Sequence, residues 1–174
     1  MNREEIIQQL KTHHQAFTEY MLELSEEDFQ RNIEGKWNAA QQFEHIHLST
    51  RPLKLALKLP AWFLKWYIGK ANRASKTYEE LVAKYKLKLA QGGRAGKGFI
   101  PKGIGAHERL ALADKLTNTI DSICNSLNKY SEQELDILIL PHPLLGKLTL
   151  REMMYFTIHH VQHHQFHTQE NLKK

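Results

Sequence analysis

The stretch that most constrains this chain is Leu150 to Asn171, where one capped amphipathic segment carries five of the eleven histidines. Thr149 is a good N-cap, and Glu152 stands three residues further on, the pattern of a capping box. At about 100° per residue, Leu150, Met154, Ile158, Val161 and Leu172 share one stripe, with Met153 and Thr157 on its flank. A stripe of that kind needs a partner surface, so the segment predicts a long helix packed against other helices. Within "TIHHVQHHQFH" (Thr157 to His167), His160 and His164 fall at the rim of the stripe, one turn apart on one face. His159 and His163 point away from it, and His167 lies farther round.

Three further segments have helical spacing. Glu4 to Leu24 places Ile6, Ile7, Leu10, His14, Phe17, Met21 and Leu24 on a helical pattern. Asn38 caps a second long helix from Ala39 to Leu57, with Pro52 set to kink or end it. His107 to Tyr130 forms a third, with Leu110, Ala113, Leu116, Ile120, Ile123 and Leu127 inward. Ser25 and Ser131 cap short helices in "SEEDFQ" and "SEQELD", and Ser75 or Thr77 caps another running to about Ala90. A brief strand is expected at Ile137 to Leu140. The echo of "LSEEDF" in "YSEQEL" suggests two related helical hairpins packed as a four-helix bundle.

The formal charge of +5 is unevenly spread. Arg51 to Lys102 holds thirteen Lys/Arg and only Glu79 and Glu80, while the remainder is acidic. Such a segment attracts nucleic acid, anionic lipid or an acidic partner, or is simply a solvated face. No helix-turn-helix, RNP or finger pattern supports specific nucleic-acid binding. "QGGRAGKGFIPKGIG" invites a phosphate-loop reading, which fails because Gln91 and Gly98 stand where that motif needs glycine and Ser/Thr. It reads as a surface loop. "AWFLKWY" (Ala61 to Tyr67) reads first as a cover over the core, and otherwise as an exposed patch for a dimer partner or membrane surface. Cys124, the sole cysteine, is a small buried hydrophobe, excluding intramolecular disulfides and a Cys-rich zinc cage. No apolar run is long enough to span a membrane, and the N-terminus lacks a secretory signal's apolar region, so a cytoplasmic location is expected.

His160 and His164 can converge on one divalent ion. No glutamate follows His160 as H-E-x-x-H demands, so the protease reading lacks its base. A catalytic metal asks for at least a third protein ligand. "FEHIH" offers His45 and His47, which flank the stripe of the second helix on opposite sides, and periodicity does not choose between them.

The stretch "KWNAAQQFEHIHLS", with a histidine eight residues after Trp37, and the stretch "HHVQHHQFH" resemble two motifs of the DinB-like superfamily, including its bacillithiol-transferase-like branch. The resemblance covers most of the chain. It implies an all-α fold: one antiparallel four-helix-bundle domain over 1–174, with short extra helices. The segment from about 59 to 105 would then be a basic insertion between the second and third long helices. It further implies a three-histidine divalent-metal site, carried over by motif to His45, His160 and His164. Zinc and nickel both suit imidazole. The activity implied is metal-dependent hydrolysis, or transfer of a small thiol to an electrophile, on a small-molecule substrate, and a homodimer is plausible. Glu44, His47, His163 and His167 are candidate partner bases that the sequence does not rank. The alternatives are a non-catalytic metal-binding or interaction bundle and, less favoured, a DNA- or membrane-surface-binding protein.

Overall fold

The computed structural model describes residues 1–173, and over these the fold is all-α, with one two-stranded hairpin. Four long helices form its frame: α1 (Arg3–Glu23), α3 (Ala39–Ala56), α6 (Arg109–Leu127) and α8 (Leu150–Leu172). Each of α1 and α3 packs against both α6 and α8, so the four close a ring around a shared core. Short helices α2 (Glu26–Gln30), α4 (Ala61–Tyr67), α5 (Tyr78–Ala90) and α7 (Glu132–Ile137) decorate this frame.

Local chemistry explains where the helices begin. Asn2, Asn38, Thr77, Ser131 and Thr149 each accept from the backbone N–H three residues on, and the residue there bonds back to the cap. Each such box satisfies two donors that helix geometry leaves without a partner. Thr77, rather than Ser75, therefore caps α5. Pro52 does not end α3, which continues to Ala56, and the Ser49 and Thr50 hydroxyls donate back to the Ile46 carbonyl in the turn before it.

Three expectations change. Leu110 is exposed and Leu112 is buried instead. Arg109 takes the inward position at the start of α6, donating to the Leu24 carbonyl at 2.6 Å and lying over the Phe29 ring. The strand lies at Ile139–His142 (β1) and pairs antiparallel with Gly146–Thr149 (β2), a partner the sequence reading omitted. In α8, burial runs unbroken from Leu150 to Ile158, far wider than the expected stripe. The reason is a third layer: α5, α7 and the hairpin also pack on α8.

Glu152 ties that layer down. Its carboxylate is wholly buried and accepts from the Arg73 guanidinium at 2.5 and 2.8 Å, from Lys76 N–H at 2.8 Å and from Thr149 N–H at 3.0 Å. Burial alone would raise its pKa, but these donors overcome that and hold it near 2. Its contribution is therefore present above the ordinary carboxylate range and is lost as pH falls toward 2. Glu152→Gln should lower stability by about 2–3 kcal/mol, softened from a fully buried pair because Arg73 can re-enter water. Thr149→Ala should cost about 1 kcal/mol. Urea unfolding midpoints test both, and an unchanged Glu152→Gln midpoint would contradict the clamp.

Candidate functional site

The side chains of α3 and α8 that face each other in the core bring three histidines together. His45, His160 and His164 are all buried. Nε2 of His160 lies 3.3 Å from Nε2 of His45 and 3.0 Å from Nε2 of His164. One ligand nitrogen from each ring lies within 4.8 Å of the others. The i, i+4 spacing on α8 supplies two of these rings, and the α3–α8 contact supplies the third.

The tautomers follow from the outer bonds. His45 Nδ1–H donates to the Phe99 carbonyl at 2.7 Å, and His164 Nδ1–H donates to the Gln42 side-chain oxygen. Both rings therefore turn an Nε2 lone pair inward. A proton on His160 Nε2 can bond only one of them, so at least one inward lone pair has no donor within the trio. A divalent cation held by the three Nε2 atoms would resolve that conflict. For zinc–nitrogen bonds of about 2.0–2.1 Å in tetrahedral geometry, neighbouring donors lie about 3.3 Å apart, close to what is seen. Burial, with nearby imidazoles adding to it for His160 and His164, holds those two pKa values well below the ordinary range; burial also lowers that of His45. All three are thus neutral near pH 7, the form that binds a metal.

Aromatic rings fix the trio further. Trp37 lies 4.8 Å from the His45 ring, and Phe156 stacks on His160 at 4.7 Å. Tyr85 of α5 approaches His160 and His163 edge-on.

The three histidines line a cavity of about 720 Å³. Leu53, Leu89, Ile100, Leu140 and Leu144 give its wall an apolar character. Among the described residues, Arg94 is the sole formally charged side chain in that wall, with no Asp, Glu or Lys beside it. Of the candidate partner bases, His163 lines the cavity, whereas Glu44, His47 and His167 lie outside it. Glu44 instead accepts from Gly103 N–H at 2.8 Å.

Sequence reasoning missed three contributors. Gln42 sits one turn before His45 on α3, so its position was legible even though its bond to His164 was not. Phe99 reaches His45 from a 3-10 turn 54 residues away, with no signal in either segment. His14, read as one more core position of α1, lines the cavity as well. Its Nδ1–H donates to the Leu10 carbonyl at 2.8 Å, and its buried Nε2 has no hydrogen-bond partner among the described residues.

His14 and His142 add a pH test of stability, to which the trio also contributes. Burial pushes both down to about 4. Their neutral forms favour the fold fully above about pH 6.5, the unfolded value. As pH falls from there toward 4, the unfolded chain takes up protons that the folded chain refuses, and stability drops. The urea midpoint of metal-free protein should fall across that window, and less steeply in His14→Leu. A flat midpoint between pH 6.5 and 4.5 would refute this.

No curated protein and no solved structure matches the chain. The family model described as the DinB superfamily matches residues 9–166, a span that takes in α3, most of α8 and all three converging histidines. The chain belongs to the DinB superfamily.

Proposed function

We propose that this protein is a divalent-metal-dependent enzyme in which His45, His160 and His164 hold the ion and the cavity beside them takes a small-molecule substrate. The convergence of three neutral imidazoles, with inward lone pairs lacking enough donors, carries this reading. A divalent ion such as zinc or nickel would supply the charge that lowers the pKa of a water or small thiol bound in the cavity. With three protein ligands, room remains for that group.

The chain's own residues divide the remaining work. Phe99 and Gln42 hold the His45 and His164 rings in the ligating tautomer. The apolar wall accepts the body of the substrate and keeps bulk water from it. Arg94 favours a neutral or anionic ligand over a cation. A wall without a carboxylate offers no strong general base for a hydrolysis that requires one beside the ion, and this favours thiol transfer, in which the ionised thiol itself attacks. In that reaction a sulfur–carbon bond forms as the electrophile's leaving group departs with its electron pair, and the thiol proton goes to solvent; burial pushes the His163 imidazole in the wall down to about 4, too weak a base to take it.

Elemental analysis of tag-free protein should find about one zinc or nickel ion per chain, the stoichiometry of a single three-ligand site. His160→Ala and His164→Ala should lose it, and His159→Ala should keep it. His45→Ala should lose far more affinity than His47→Ala. Gln42→Ala should weaken binding by about 10- to 100-fold, the usual cost of removing a ligand's outer partner. Equal metal content across these variants would remove the site. Loaded protein that conjugates no thiol to a chromogenic electrophile, yet cleaves ester or amide substrates, would move the reading to hydrolysis.

A further inference from the structure

Helix α4 and the turn before it carry an aromatic surface that the core does not use. Trp62, Trp66 and Tyr67 are 68%, 76% and 74% exposed, and Leu55 and Leu59 are exposed beside them in the chain. The expectation that this stretch covers the core holds only for Leu64, which is buried, and in part for Ala61 and the following Ile68, which are half-buried against it. The segment is anchored on both sides. The Tyr130 hydroxyl donates to the Leu59 carbonyl at 3.3 Å, and Ala71 N–H donates to the Ile137 carbonyl at 2.9 Å. The rings also gather on one another: Phe63 stacks on Tyr67 at 5.7 Å and lies 5.9 and 6.0 Å from Trp62 and Trp66. A contiguous exposed apolar cluster of this kind marks a contact surface.

Charge decides what it contacts. From His45 to Tyr78 the chain has no Asp or Glu and seven Lys/Arg. Arg73 and Lys76 pair with Glu152, and Lys65 lies near Glu134. Lys58 and Lys70 are exposed, with no acidic partner among the described residues. A two-fold contact with a second copy would set this basic patch against itself, with no carboxylate in the segment to meet it. Tryptophan and tyrosine beside lysine instead match the headgroup layer of a bilayer, where each basic residue gains from anionic lipid.

We propose that α4 and the preceding turn dock this protein on an anionic lipid surface. Trp62, Trp66 and Tyr67 enter the headgroup layer, and Lys58 and Lys70 face lipid phosphates. Ala56 and Ile68 line the large cavity, so the docked face adjoins its wall. The proposal does not depend on metal binding.

Cosedimentation with vesicles of phosphatidylglycerol and phosphatidylcholine, beside vesicles of phosphatidylcholine alone, tests it on the intact chain. At low salt, wild type should pellet with the anionic vesicles and not with the neutral ones, and should detach as salt rises. Trp62→Ser/Trp66→Ser should lower the vesicle partition coefficient by about tenfold or more. Lys58→Gln/Lys70→Gln, which leaves the ring cluster intact, should lower it several-fold and flatten the salt dependence. Wild type that stays in the supernatant at low salt would overturn the proposal. So would undiminished binding by both double variants. A wild-type dimer in light scattering that the tryptophan variant converts to monomer would also overturn it, assigning the patch to a second copy.

Discussion

The buried carboxylate of Glu152 is the interaction on which most of this architecture hangs. It closes the capping box that starts α8, and α8 carries His160 and His164. The same oxygens hold Arg73 and Lys76, in the link between α4 and α5, against the helix. One group thus starts the helix that presents two site histidines and fastens the segment that covers its second face. A neutral or misplaced residue there would loosen both at once, because the cap of α8 and the Arg73–Lys76 link bond to the same carboxylate.

Much of the fold was legible because helices announce themselves locally. Asn38, Ser131 and Thr149 each sit at the head of a helical pattern, and each caps a helix. Side-chain direction was legible only where one partner surface exists. His160 and His164 were placed at the rim of a stripe because α8 was read as having a single packing face. The burial of Tyr155 and Phe156 was not, because it depends on α5, α7 and the hairpin packing on the same helix. Leu110 failed for a related reason: the inward residues from Ala113 to Leu127 follow the expected spacing, but in the first turn of α6 Arg109 bonds the Leu24 carbonyl, and spacing carries no information about that.

The convergence of His45 with the α8 pair illustrates a second limit. Periodicity left His45 and His47 equivalent, and the resemblance to the DinB-like motif separated them. In the structure His45 meets the pair, whereas His47 lies outside the cavity, near the charges of Arg51 and Lys115. The partners that set the tautomers were harder to read. A glutamine one helical turn from a histidine is common, and a backbone carbonyl has no sequence signature at all.

That carbonyl has a wider consequence. Because the Phe99 backbone, not a side chain, orients His45, no point substitution deletes the acceptor, and Gly96 and Gly98 beside it have room for a side chain while the bond persists. Altering the loop's path, by contrast, would rotate the imidazole and change its donor strength without touching a histidine. Loop length and curvature therefore set how the His45 ring is presented, and they can shift while every histidine of the trio stays in place.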